Sequence, residues 1–535
     1  MLEGKNLIIY LLVGLLAITF ILRLSGLAFS PPGFFCDETS IGYNAYSILE
    51  TGKDEKGIRL PVFFKAFGDY KNPVYIYLAT IPIKFLGLSV FSVRLTSAVL
   101  GIGSILLFIY FLYLIKKSWL FALSGGLILS LMPWHFQFSR IAFEAISLVF
   151  FITVDMVLFA LYLKTKKPIY YLFFGLSMVV SFFAYSTGRL IIPFSAILVA
   201  LIWRKELFGV NHIQNLGRER INIFISALTI ALLSLILIYD HYIDPTGILT
   251  RPHDVLIIDD KPGILVIAER FLENYFNHFS PAFLFGRGDL NLRHSPGVSS
   301  MLFVSFFLPL VAGIVYFAQR IKKSKLALFL LAELIIFPAA SSITVINEGA
   351  QSTRTIHIVP FAALIITYGV WKIIKALGKK QVYLLVVLLV FAFFETVMFY
   401  KYYFTLYPQV AIANFEGGMP EAMRFAFSQK APYYYVSMNV CKYRIEIPFF
   451  MQYPPEKFQQ SLIFPNARCL DPRKIVNPKP GSLAIYKATD YIPHFHGETL
   501  LKKISYVKNT VKQEAGTQRE LYEDKEIDLY YIYRY

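Results

Sequence analysis

Long apolar runs recur along this chain, separated by short polar connectors. They fall at about 7–29, 90–115, 118–135, 143–163, 169–186, 190–203, 222–239, 299–318, 326–342, 355–374 and 381–400. Most are ~18–25 residues long, enough for a helix to cross ~30 Å of hydrocarbon. Backbone groups in lipid must satisfy one another, and a single apolar segment does so only as a helix. The pattern predicts a polytopic α-helical membrane protein with about eleven transmembrane helices. The first run exceeds the core of a signal peptide and lacks a clear small-residue cleavage site, so it is expected to be retained.

Two stretches break the pattern. In "DETSIGYNAYSILETG", residues 37–52, Ile41, Ala45, Ile48 and Leu49 share one helical face, and Gly52 is a natural stop. Too short to span, this helix is expected to lie along the membrane interface. Lys71 then precedes an Asn-Pro and an aromatic amphipathic run from Val74 to Leu86. Beyond residue 400, "GMPEAMRFAFSQ" reads as a helix, and "PYYYVSMNV", "GSLAIYKATDY", "KKISYVKN" and "IDLYYIYRY" read as strands. The expected organisation is a membrane domain over residues 1–400 and a small soluble α/β domain over 401–535.

Charge orients the spans. The chain is 56% hydrophobic and only 16% charged, with a net charge of +17. Short connectors hold Lys116 and Lys117; Lys164, Lys166 and Lys167; Arg204, Lys205, Arg218 and Arg220; Arg320, Lys322, Lys323 and Lys325; and Lys372, Lys375, Lys379 and Lys380. The positive-inside rule assigns these to the cytoplasm. They account for most of the net charge, so no nucleic-acid partner is needed. Eleven spans then put residues 30–89, the turn near His135, residues 186–189, 240–298 and 343–354, and the C-terminal domain on the extracytoplasmic side. All three cysteines, Cys36, Cys441 and Cys469, fall on that side, and none forms a Cys-x-x-Cys pair. A structural zinc site is therefore not expected; a Cys441–Cys469 disulfide is left open. No glycine-rich phosphate loop is present, which argues against an ATP-driven pump.

The chemistry-bearing residues gather on the same side. Asp37 and Glu38 open the short helix, and Tyr43 follows on it as a candidate substrate contact. The plain alternative for Asp37 is an N-cap, since a carboxylate accepts the unpaired N–H groups there. Arg94 stands near the start of a span. In "PWHFQFSRIAFEAISL", Arg140 and Glu144 are four apart and are expected to share a helical face, where an ion pair is the ordinary outcome. Glu144 lies at the edge of the apolar zone, where an acid is costly and points to function. Asp155 lies deeper and is expected to pair with another helix. Between two spans, "NHFSPAFLFGRGDLNLRHSPGVSS" concentrates Arg287, Asp289, Arg293 and His294 among glycines, as a binding loop does. Arg354 and His357, three apart, mark the end of another span. Arg354 either reaches the lipid headgroups or contacts a donor phosphate, the second being favoured. Arg189 and the stretch Asp240 to Asp254 decide nothing.

An acidic pair after the first span, a short helix, a Lys-x-Pro-aromatic segment and "RLTSAVLG" opening a span make an order that resembles the GT-C membrane glycosyltransferases. The branch it resembles holds the protein O-mannosyltransferases and the lipid A aminoarabinose transferases. The similarity is clearest over residues 30–145 and continues as topology to about 400. It implies a lipid-linked sugar phosphate as donor and work on the outer face. Asp37 resembles the acid that activates the acceptor, and Lys71 the lysine that contacts the donor phosphate. Glu144 stands where relatives usually carry a second Asp.

The chemistry fits on its own terms. A polyprenyl-phosphate sugar carries a good leaving group on its anomeric carbon. Attack by a hydroxyl needs a carboxylate to take the proton, and cations where charge builds on the departing phosphate. The expected function is transfer of a sugar from a polyprenyl-phosphate donor to a glycan, lipid or protein hydroxyl. No cofactor is expected; a divalent metal on Asp37, Glu38 and His294 is the less favoured reading. The competing class is a membrane transporter or lipid flippase. Its signature is ionisable groups at mid-bilayer in repeated halves, whereas no halves repeat here.

Overall fold

The computed structural model describes residues 2–67, 69–209, 216–243, 257, 262–299, 301–344, 350–377, 382–437, 445–461, 466–470, 479–487, 499–513 and 520–534. They form two compact units. One comprises Met1–Ser25, Val62–Tyr75 and Leu95–Tyr400; the other comprises Gly26–Pro61, Ile76–Arg94 and Lys401–Tyr535. Cys441, Asp254, Lys379 and Lys380 lie outside the described residues.

Each apolar run is helical. In chain order the helices used below are α1 (Leu2–Leu24), α2 (Cys36–Thr51), α3 (Pro73–Leu86), α4 (Val90–Lys116), α5 (Trp119–Leu131), α6 (Pro133–Phe138), α7 (Ala145–Thr165), α8 (Pro168–Ala184), α9 (Gly188–Ile202), α10 (Leu216–Ile243), α11 (Ile264–Asn277), α12 (Phe307–Ala318), α13 (Lys325–Ile336), α14 (Ser352–Thr355), α15 (Val359–Leu377) and α16 (Val382–Thr405). Among the described residues, seven helical stretches are long and apolar enough to cross a membrane, and five shorter apolar helices accompany them.

The basic connectors are cut short by local chemistry. Lys166 ends α7 in the left-handed conformation (φ 59°), and Pro168 starts α8 two residues later. Ser118 and Ser324 cap α5 and α13 through the N–H groups of Phe121 and Ala327. Small residues set the closest packing. A Cβ on Gly313 would overlap Ile365 O, and one on Gly369 would overlap Pro309 O, so α12 and α15 lie backbone to backbone. Acids within the spans are tied across helices, as expected of Asp155. Ser181 Oγ donates to Asp155 Oδ2 at 2.8 Å, and Ser195 Oγ to Glu333 Oε1 at 2.7 Å.

In the other unit, α2 is covered by the C-terminal part of the chain. That part adds α17 (Met419–Ser428), α18 (Glu446–Phe450) and α19 (Pro455–Ser461). Phe34 packs on Phe449 and Tyr43 on Phe458, while Gln459 Nε2 donates to Ser47 Oγ, Thr51 Oγ1 and Asp54 O. The sheet runs β4 (Ala467–Leu470), β3 (Tyr434–Ser437), β5 (Leu483–Lys487), β7 (Glu520–Arg534), β6 (Thr499–Gln513). β3 is parallel to both neighbours, and β7 is antiparallel to both of its own. Met419, Ala422, Met423 and Ala426 of α17 share a core with Val436, Leu483, Ile485 and Ile532 of the sheet. Four of the strands and α17 follow the sequence pattern; β4, α18 and α19 were not anticipated. Cys469, on β4, is disulfide-bonded, and Cys36 is a buried free thiol.

Gly33 has φ +74°, and a Cβ there would overlap Phe415 O and lie 2.7 Å from Gly417 N. Both the backbone and its surroundings demand glycine. Gly33→Ala is expected to lower stability by more than ~1 kcal/mol, read as a lower thermal midpoint of the purified protein. An unchanged midpoint would contradict this packing.

Candidate functional site

Asp37 occupies the first turn of α2, half-buried. The N-cap is Phe35, extended at φ −78° and ψ 167°, whose side chain makes no capping bond. Asp37 is therefore not the N-cap: it is the second residue of the helix, at the positive end of the helix dipole. Glu38 points elsewhere, about 100° round the helix. It is fully buried, and its carboxylate takes a two-pronged bond from Arg94, Nε at 2.8 Å and Nη2 at 2.7 Å. Arg94 spends its remaining donors on Leu27 O, Pro31 O and Gly33 O at 3.2, 2.8 and 2.8 Å. Tyr43 is also buried, and its hydroxyl donates to Tyr453 O at 2.9 Å. Glu38 and Tyr43 thus both take part in the unit's interior.

Lys71 ends a small hairpin of β1 (Phe64–Ala66) and β2 (Asp69–Lys71), opposite Phe64. Its ammonium lies 5.4 Å from the centre of the Phe67 ring. Asn72 then turns the chain into α3, with Pro73 at the first helical position. Two partners fix that turn. The Asn72 N–H donates to Glu144 Oε1, and Asn72 Oδ1 accepts from Arg189 Nη2 at 3.0 Å. Arg189 also stacks 4.3 Å from the Phe63 ring centre. Lys71, Glu144 and Arg189 are in this way joined through one asparagine.

Arg140 is placed differently from its sequence spacing. α6 ends at Phe138 and α7 begins at Ala145, so Arg140 and Glu144 lie in the turn between helices and the four-residue face does not exist. Arg140 is buried: Nη1 donates to Leu22 O and Arg23 O at 2.6 and 3.0 Å, and Nη2 to Ser25 O at 2.7 Å. Arg23 beside it bonds Ser130 O and His135 Nδ1, both at 3.0 Å.

The loop from Arg287 to His294 is ordered by Asp289. Its Oδ1 accepts Asn291 N–H at 3.0 Å; its Oδ2 accepts Ser352 N–H at 2.8 Å, Ser352 Oγ at 3.0 Å and His294 Nδ1 at 3.1 Å. Burial alone would raise this carboxyl, but His294 and the N–H donors of Ser352 and Asn291 hold it below its ordinary value. Gln137 Nε2 donates to Arg293 O at 2.9 Å, and the His294 ring meets Phe143 edge-on at 5.6 Å. The loop therefore rests on the turn that carries Glu144. Arg293 N–H bonds Asn291 Oδ1 at 3.0 Å. Arg354, on α14, is half-buried and donates to Thr344 Oγ1. His357 is fully enclosed, with neither ring nitrogen hydrogen-bonded.

Within this unit the structure brings Lys71, Glu144, Asp289, Arg293 and His294 to one set of span ends. It gives Arg140 and His357 interior surroundings. Sequence reasoning missed Asn72, Arg189, Gln137 and Ser352. The Asn-Pro after Lys71 was the available signal for the first; the others are joined only by the fold. A cavity of about 510 Å³ lies among α4, α7, α8, α9, α13 and α15, walled by Phe111, Ile152, Met156, Phe174, Val199 and Phe329. Among the described residues no group of three or more His, Cys, Asp or Glu side chains is arranged to hold a metal ion.

No protein-family model matches the chain, and no curated protein matches it. Solved structures do resemble it. ArnT from Cupriavidus metallidurans bound to undecaprenyl phosphate aligns with a TM-score of 0.52 at 12% identity, over 97% of each chain. Its apo state gives 0.52 at 13%, over 99% of this chain and 98% of that one. The Archaeoglobus fulgidus oligosaccharyltransferase in complex with Zn and sulfate gives 0.50 at 14%, over 82% of this chain. The chain spans 61% of the length of that archaeal protein. Over nearly its whole length, the fold of this chain is similar to that of ArnT.

Proposed function

We propose that this protein is a glycosyltransferase that moves a sugar from a polyprenyl-phosphate donor to an acceptor hydroxyl on the extracytoplasmic face of the membrane. The observation that carries this reading is the turn at Asn72, where Lys71, Glu144 and Arg189 are fixed together at span ends. Two cations beside one backbone turn suit a phosphate. The apolar cavity among the spans suits a protein that handles lipid chains. The fold shared with ArnT, solved with undecaprenyl phosphate, agrees.

In the reaction the acceptor oxygen bonds to the anomeric carbon as the bond to the phosphate oxygen breaks. Asp37 takes the hydroxyl proton, and the polyprenyl phosphate leaves as the anion. Lys71 and Arg189 stabilise that anion. Glu144 positions Lys71 by holding the Asn72 N–H. Arg293, His294 and Arg354 are the further donor-side contacts. The acceptor is a glycan, lipid or protein hydroxyl, and the sugar a hexose or pentose.

Lipid extracted from the purified protein tests the reading by mass spectrometry. A polyprenyl-phosphate sugar is expected. Bulk phospholipid alone, with no transfer from a polyprenyl-phosphate donor, would overturn the reading. Lys71→Met removes one charged contact of about 1.5–3 kcal/mol, so undecaprenyl phosphate is expected to bind roughly 10- to 100-fold more weakly by titration.

A further inference from the structure

We propose that the cavity at the basic end of the spans binds an anionic phospholipid, with its phosphate at Lys164 and Lys325 and a chain among the helices. This goes beyond the transfer reaction, because the site lies at the other end of the spans from the Asn72 turn.

The placement follows from two helices. Glu144 immediately precedes α7, and Arg189 stands in the first turn of α9, so the groups that hold Asn72 mark the N-terminal ends of both. Lys164 is in the last turn of α7, and Trp203 follows the last residue of α9. Both line the cavity, as does Lys325 at the start of α13. The 21 residues of α7 separate the two ends by ~30 Å.

The lining suits an amphiphile. The volume of about 510 Å³ falls within the ~300–1,000 Å³ of ligand pockets. Met156 and Met178, on neighbouring helices, give the walls unbranched side chains that adjust to the bends of a chain. At the basic end Lys325 Nζ bonds both Glu206 oxygens, at 2.6 and 2.5 Å. Lys164 stands against Lys117 instead. Two ammonium groups side by side repel, and an anion beside them offsets that repulsion. Lys166 and Arg218 add positive charge at the same end, with Glu206 and Glu219 as the acids among them.

Asp155 sets the direction. It lines the cavity nine residues before Lys164 on α7, ~14 Å further from the basic end, and Ser181 Oγ holds its Oδ2 at 2.8 Å. An anionic head at that depth would be buried in apolar surroundings beside a carboxyl, a costly arrangement. The head is therefore confined to the lysine end, and the chain points inward. The ordinary account of these lysines is that they mark the ends of spans and extend into water, their stems covering apolar surface. Under that account no charge-dependent lipid uptake occurs at the cavity.

Trp203 supplies the probe. It is 8% exposed and packs on Phe159 and Phe329, with ring centres 5.2 and 5.8 Å away, so a bromine on a chain inside the cavity quenches its fluorescence. The full chain is titrated in detergent micelles with brominated-chain phosphatidylglycerol or phosphatidylcholine. Saturable quenching by the phosphatidylglycerol alone is expected, and Trp203→Phe is expected to remove it. Lys164→Met is expected to weaken phosphatidylglycerol binding roughly tenfold, the loss of one charged contact, with an unchanged thermal midpoint. Ala160→Phe, which puts a ring into the cavity, is expected to abolish the quenching. Equal quenching by both lipids, or an unchanged affinity in Lys164→Met, overturns the headgroup assignment. Quenching that persists in Trp203→Phe, or no quenching by either lipid, overturns occupancy of the cavity. Displacement of the brominated lipid by equimolar undecaprenyl phosphate makes the cavity part of the donor site and overturns a second lipid site.

Discussion

Asp37→Asn is expected to yield a protein that folds, melts near the unsubstituted temperature, binds undecaprenyl phosphate and transfers sugar about 10²–10⁴-fold more slowly. Phe35, not Asp37, is the N-cap of α2, and asparagine keeps a side-chain oxygen that accepts the same kind of N–H bond. Asparagine is nearly the same shape, so the half-buried position is refilled. What is lost is the charge that the helix N-terminus helps to maintain and the ability to accept the acceptor's proton. Transfer assays with a polyprenyl-phosphate donor, alongside thermal melting, separate the two. Near-normal transfer by a well-folded variant removes Asp37 from the mechanism.

Arg94→Met is expected to destabilise the protein by about 3–5 kcal/mol, the largest stability effect among the residues considered. Removing Arg94 strands a fully buried Glu38 carboxylate and also withdraws the donors serving Leu27 O, Pro31 O and Gly33 O. Adding Glu38→Gln removes the unpaired charge, so the double variant is expected to recover part of the loss. Glu38→Gln alone leaves the guanidinium buried without its anion and should also melt early. Thermal melting in detergent measures all three. If Arg94→Met melts like the unsubstituted protein, the pair contributes nothing net and Glu38 becomes free to be reread as a substrate ligand.

Glu38 also shows where sequence reading stops. Its neighbour Asp37 and its place on a short helix were legible, because helix periodicity and a glycine stop are local signals. Its partner lies 56 residues away, and nothing local announces that pairing. The apolar runs were legible for a stronger reason: a span must be continuous to satisfy its backbone, so composition alone marks it. Spacing misled at Arg140 and Glu144, where the three- and four-residue rule presumed a helix and a turn stands instead. Lys71 was singled out by its Asn-Pro context, yet Arg189, which bonds that same asparagine, was undecided, since one arginine at a helix start has many ordinary explanations. β4, α18 and α19 are short, and their burial comes from neighbours distant in sequence.

The bonds from Arg140 to Leu22 O, Arg23 O and Ser25 O bear on how the protein is made. The last carbonyls of a helix have no partner within it, and here those of the first span are closed by a residue 115–118 positions downstream. On the ribosome, α1 enters the bilayer long before that arginine exists. Its trailing end must wait, served by water or lipid headgroups, until the turn after α6 has been synthesised and brought back. A chain truncated before residue 140 would carry an inserted but unfinished first span. Ribosome-stalled lengths on either side of that position should differ in the protease sensitivity of the segment after α1, with protection appearing only once Arg140 has emerged.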